Sequence, residues 1–122
     1  LERMRAKFGT DPSDVRAAIG PAARACCYEV GPEVVKAFAE KFPRAAAWFT
    51  PTREGHAFAD IQRANVAQLV EGGVRAERIH VLPLCTMCRT DLFFSYRREK
   101  RQNERTGRLM SVVGRASTSL ES

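Results

Sequence analysis

A chain of 122 residues is one domain at most, and 44% apolar with 28% charged residues is an ordinary globular composition. No apolar run approaches the roughly 20 residues needed to cross a bilayer, and the opening Leu1–Gly9 lacks the apolar core of a signal peptide, so the reading is a cytoplasmic protein with no membrane partner. The net charge of +6 raises nucleic acid as a partner, but the excess is confined to Arg97–Arg108, six cations against Glu99 and Glu104 with no aromatics interleaved, which argues against general nucleic-acid binding.

Leu1, Met4 and Phe8 repeat at helical spacing, and Gly9 suits the position after a helix C-terminus. No capping residue precedes Leu1, so the expectation is a helix that has lost its first turn. Asp11-Pro12-Ser13-Asp14 is turn chemistry. Val15–Ile19 reads as a short buried strand ended by Gly20-Pro21, followed by a small-residue loop over 20–27 and then Tyr28-Glu29-Val30. Gly31-Pro32-Glu33 opens a helix with proline in its first turn. Its expected buried face is Val34, Val35, Phe38, Ala39 and Phe42, and Pro43 stops it. Ala46–Thr50 suits a short strand and Thr52–Gly55 a loop. A helix is expected from His56 to Glu71, with Phe58, Ile61, Asn65 and Leu69 on one stripe, which would make Asn65 a buried amide. Gly72-Gly73 ends it.

Ile79–Leu84 reads as a buried strand, Cys85–Asp91 as a loop, Leu92–Tyr96 as a strand, Arg97–Thr106 as a polar connection and Leu109–Val113 as the last strand. The tail, residues 116–122, is expected to be disordered. Alternating helices and strands make this an α+β domain. If Leu92–Tyr96 is a strand, Arg97 and Arg98 face opposite sides of it. One would then serve an anion or a buried carboxylate, and the other would face water.

Four cysteines occur as Cys26-Cys27 and Cys85-x-x-Cys88. Two pairs can build a tetrahedral zinc site. The second pair has suitable spacing; the first does not, because adjacent side chains on an extended chain point to opposite faces and both rarely reach one ion. Reduced thiols in or beside a site are the simplest reading, with a disulfide disfavoured in the cytoplasm.

Four strings occur in order and at compatible spacing: AAIGPAARACCYEVGPEV (17–34), FADIQRANVAQLVEGGV (58–74), LCTMCRTDLFFSYRRE (84–99) and TGRLMSVVGR (106–115). Together they resemble the C-terminal half of the YfiH family, also called the laccase-domain or polyphenol oxidase family. The resemblance implies an αββα layered sandwich of mixed sheets, incomplete here, with residues 1–115 forming the C-terminal part of one domain. It implies a zinc-dependent purine nucleoside phosphorylase that acts on adenosine and inosine with phosphate and also deaminates adenosine; older reports gave copper as the metal. Ser95, Tyr96, Arg97 and Arg98 would be substrate or phosphate contacts, with Asn65, Asp60 and Cys27 as further candidates.

The family's metal ligands, two histidines and a cysteine in H-A-G-W-R-G and T-A-D-C motifs, have no counterpart here. His56 and His80 sit in neither context, so no metal ligation and no activity are expected of this chain alone. The family loop reads roughly I-G-P-x-I-G-P-C-C-Y-E-V-G, and Ala23-Arg24-Ala25 replaces its second I-G-P. An uncovered sheet face or edge would favour self-association. Two further readings stand beside the phosphorylase: a non-catalytic half-domain binding a nucleotide or protein through 97–108, and a small zinc-stabilised nucleic-acid module.

Overall fold

The computed structural model describes residues 1–103 and 105–116. Glu104 and residues 117–122 of the expected tail lie outside them. The described residues form a mixed α+β assembly with one parallel and one antiparallel sheet. Helix α1 spans Glu2–Phe8 and closes on Gly9, whose φ of 64° lets its N–H reach Arg5 O. Strand β1 (Ala17–Ile19) lies parallel to β5 (Ile79–Val81), in register from Ala17↔Ile79 to Ile19↔Val81. A parallel pair needs a long crossover, and here it carries most of the remaining structure. Strand β2 (Glu29–Val30), helix α2 (Pro32–Lys41), strands β3 (Phe49–Pro51) and β4 (Ala57–Ala59) and helix α3 (Ile61–Glu71) all lie between β1 and β5. β2, β4 and β3 form the antiparallel sheet, with β4 central.

The core is small and aromatic. Trp48 and Ala45, from a 3-10 turn over Ala45–Trp48, meet Ala64 of α3, with Phe38, Phe42, Phe49 and Ala67 packed around them. Phe38 meets Trp48 edge-on at 6.3 Å, and Phe42 lies 5.5 Å from it, separations at which aromatic quadrupoles attract. Alanines at 45 and 64 leave room for these rings. Of the expected α2 face, Val34, Val35, Phe38 and Phe42 are half-buried, while Ala39 is exposed.

Residues 56–60 are not helical. His56 closes the β3–β4 hairpin turn, which Gly55 allows at φ 69°, and Ala57–Ala59 form β4. Asp60 caps α3, its carboxylate accepting from Arg63 N–H at 2.9 Å. That cap was the missed signal: an Asp directly before an apolar-periodic run marks a helix start. Asn65 is exposed, and the buried amide of α3 is Gln62. A single apolar stripe predicts one packing face, but α3 is packed on two. Ala64 faces the aromatic core, while Gln62 Nε2 donates to Gly20 O at 2.8 Å and Leu82 O at 2.9 Å, beyond the ends of β1 and β5.

The C-terminal third departs most from expectation. β5 is half-buried to exposed rather than buried. Leu92–Tyr96 is not a strand: Ser95 begins helix α4, Tyr96–Arg101, inside the expected polar connection. Leu109–Val113 forms no strand, and Met110, Val112 and Val113 are exposed. Among the described residues, no helix is long and apolar enough to cross a membrane.

Gln62→Ala removes both links from α3 to the parallel pair and should lower stability by about 2 kcal/mol, at roughly 1 kcal/mol per hydrogen bond. Asn65→Ala should change it by less than about 0.5 kcal/mol. Urea denaturation of the two variants checks the assignment of the buried amide.

Candidate functional site

Beyond β1 and β5 the two chain segments stay side by side. Leu82 N–H donates to Ile19 O, Ala22 N–H to Leu84 O and Thr86 N–H to Ala22 O, and Ala22 pairs with Cys85 in a parallel bridge. The loop after β1 therefore lies against the loop after β5. Arg24 adds a tie, Nη1 to Pro83 O at 2.9 Å, so this departure from the family loop anchors it to the neighbouring loop.

A groove of about 880 Å³ opens where these loops meet α4. Its lining takes Pro21, Ala22 and Ala23 from the loop after β1, Thr86 from the loop after β5, and Ser95, Tyr96 and Arg97 from the start of α4, together with Tyr28, Phe94, Lys100, Arg101 and Leu109. Arg97 is held in place from behind. Its guanidinium lies 4.6 Å from the Tyr28 ring centroid, a cation–π contact, and Nη1 donates to Glu29 O. Gly107 allows the returning chain to close on this wall: a Cβ there would lie 2.5 Å from the Phe94 ring.

Arg98 turns elsewhere. Its guanidinium donates to Thr86 O at 2.8 Å, Met87 O at 3.3 Å and Phe93 O at 2.8 Å, and pairs with Glu99 at 2.7 Å. Glu99 is buried and also accepts from Ser95 N–H at 2.7 Å, while Ser95 Oγ accepts from Arg98 N–H, a reciprocal cap on α4. Burial opposes the charge on Glu99, yet Arg98 and the Ser95 N–H outweigh it and lower its pKa below 4.5. The two arginines are thus separated by successive positions on a helix, not by strand alternation.

The other candidates lie apart. Asp60 caps α3. Asn65 borders a separate surface hollow with Leu1, Ile19 and Leu69. Cys27 belongs to the four-cysteine cluster that the adjacent spacing of Cys26 and Cys27 argued against: the sulfurs of Cys26, Cys27, Cys85 and Cys88 all lie within 4.8 Å of one another. Cys26 and Cys27 occupy a turn, not an extended segment, so both sulfurs reach the Cys88 sulfur, at 3.6 and 3.1 Å. Burial raises the Cys85 thiol pKa, but backbone N–H donors from Arg24, Cys88 and Met87 outweigh it and bring the group down to about 6. Contact with Cys88 and burial push Cys27 up. His56 bonds Glu54 O and His80 lies exposed on β5; among the described residues, neither joins a cluster able to hold a metal.

Residues 1–116 match the family model described as multi-copper polyphenol oxidoreductase laccase. The chain is 38% identical over 105 residues to the purine nucleoside phosphorylase YlmD of Geobacillus stearothermophilus, covering 85% of this chain and 37% of that protein. It is 40% identical over 101 residues to a purine nucleoside phosphorylase of Xylella fastidiosa, covering 83% and 39%. Among solved structures, it superposes on YfiH of Bacillus licheniformis with a TM-score of 0.75 at 35% identity, over 80% of this chain and 38% of that one. The crystal structure of the Geobacillus YlmD gives 0.75 at 36%, over 80% and 36%. The chain spans less than two fifths of each of these relatives.

Because Glu99 has a lowered pKa in the fold, its contribution to stability is complete above the ordinary value of 4.5 and is lost as pH falls through the lowered one. Glu99→Gln should be less stable than the parent at neutral pH and show a flatter loss on acidification. Denaturant midpoints followed from neutral to acid pH measure both.

Proposed function

Since this chain belongs to the multi-copper polyphenol oxidoreductase laccase family, that of the YfiH-like proteins, we propose that its groove is the nucleoside- and phosphate-binding wall of a purine nucleoside phosphorylase. Residues 1–115 would be the C-terminal part of that enzyme's single domain. The observation that carries the reading is Arg97, fixed by Tyr28 and Glu29 O on a groove whose lining also includes Ser95, Thr86 and the cations Lys100 and Arg101.

Phosphorolysis brings a phosphate oxygen to the anomeric carbon as the glycosidic bond breaks, so it needs fixed donors for an anion and a surface for the base. A guanidinium has five N–H donors, and among the described residues Glu29 O is the one protein acceptor found for Arg97. Most of its donors can therefore meet phosphate. Tyr28, Phe94, Ile61 and Leu109 supply apolar area for a purine. Adenosine and inosine are the proposed substrates, with adenosine deamination as a second activity of the whole enzyme. Arg98 supports the wall and does not touch substrate.

The resemblance also implies a catalytic zinc, or copper by the older assignment, bound by two histidines and a cysteine. The residues here do not fit that set, because among the described residues neither His56 nor His80 belongs to a group of side chains able to hold a metal, and the one such group is made of cysteines alone. No step of the chemistry is therefore assigned to a metal on this chain.

Titrating the 122-residue chain with inosine and phosphate, followed by amide NMR, should shift resonances of Tyr28, Thr86 and Ser95–Arg101. Arg97→Ala should weaken phosphate binding about tenfold, equivalent to roughly 1.4 kcal/mol, with the fold intact. Groove resonances that ignore both ligands in folded protein would refute the proposal.

A further inference from the structure

We propose that Cys26, Cys27, Cys85 and Cys88 bind one thiophilic divalent ion, of the zinc class, as a closed structural site that clamps the loop after β1 to the loop after β5. It is separate from the His and Cys ligand set the family resemblance implies, and it uses residues that set does not contain.

Geometry is the main argument. Around a tetrahedral ion with metal–sulfur bonds of about 2.3 Å, ligand sulfurs lie about 3.8 Å apart. The four sulfurs here are all within 4.8 Å of one another, and two of the separations are 3.1 and 3.6 Å. All four cysteines are free. Thiols are weak donors and weak acceptors, so four of them gain little from facing one another. A shared cation gives the gathering a physical cause.

The surroundings suit bound thiolates. Four thiolates around a divalent ion leave a net charge of −2, and the Arg98 guanidinium is fixed on the carbonyls of Thr86 and Met87, the two residues between the paired cysteines. Cys85 is buried, while Cys26 and Cys88 are exposed, giving an ion a route in from solvent. With four protein ligands, no position remains for water or substrate, so the role is structural. The consequence falls on the groove, because Ala22, Ala23 and Tyr28 flank one cysteine pair and Thr86 lies inside the other.

The test reads metal without any nucleoside, so it stands or falls apart from the phosphorylase reading. The full chain is purified reduced, loaded with zinc, desalted and measured by elemental analysis; a parallel sample is loaded with cobalt for absorption spectroscopy. The proposal expects one zinc per chain, an intense thiolate-to-cobalt charge-transfer band, loss of both in Cys85→Ser and in the double variant Cys26→Ser/Cys27→Ser, and a Tm lowered by about 10 °C on chelation. Substoichiometric zinc with no thiolate–cobalt band in folded, reduced protein would overturn it. So would full zinc retention by the double variant. If the variants fail to fold, the cobalt spectrum of the unaltered chain decides: tetrahedral sulfur coordination supports the site, and its absence refutes it.

Discussion

The arrangement rests on one parallel alignment, residues 17–22 running beside 79–86. β1 and β5 account for the first three pairs, and the hydrogen bonds of Leu82, Ala22 and Thr86 carry the alignment onward into the loops. Gln62 fixes it from the side, spending both amide protons on Gly20 O and Leu82 O. Parallel strands leave their ends pointing the same way. The loops that follow them must therefore emerge together, although some sixty residues separate them in sequence. Both the groove and the cysteine cluster are consequences of that single constraint.

Adjacent arginines divide the labour at this junction. On a helix, successive residues are about 100° apart, so Arg97 and Arg98 leave α4 in different directions. Arg97 goes to Tyr28 and the groove. Arg98 goes to the Cys85–Cys88 turn and to Glu99, which returns to the N–H of Ser95. The cap that starts α4 is therefore joined by one buried ion pair to the turn that carries two cysteines. A disturbance at either end would be felt by Arg97 through the helix they share.

Membership of the laccase-like family and similarity to proteins named purine nucleoside phosphorylase give this junction its meaning. Of the strings that carry the resemblance, the segments CCYEV, LCTMC, FFSYRR and TGR converge there. Thr106 and Gly107 of the last string fold back on α4, Thr106 Oγ1 reaching Glu99 at 3.4 Å and Gly107 lying against Phe94. Local sequence similarity here marks parts of one small three-dimensional object, in which each loop supplies a wall or a support for the next.

Sequence alone determined the family, the α+β class, the start of α2 and its proline stop, and the Gly9 and Gly72-Gly73 helix ends. These follow from local chemistry: proline lacks an N–H, glycine adopts positive φ, and periodic apolar residues make a face. Tertiary structure decided what depends on contact between distant segments. It buried Gln62 instead of Asn65, because α3 packs on two sides. It turned Leu92–Tyr96 from a strand into the approach to a capped helix, because Ser95 and Glu99 bond each other and Arg98 pairs with Glu99. It also gathered the four cysteines, because the turn at Cys26-Cys27 is pressed against the Cys85–Cys88 turn by a strand pairing that no local pattern reveals.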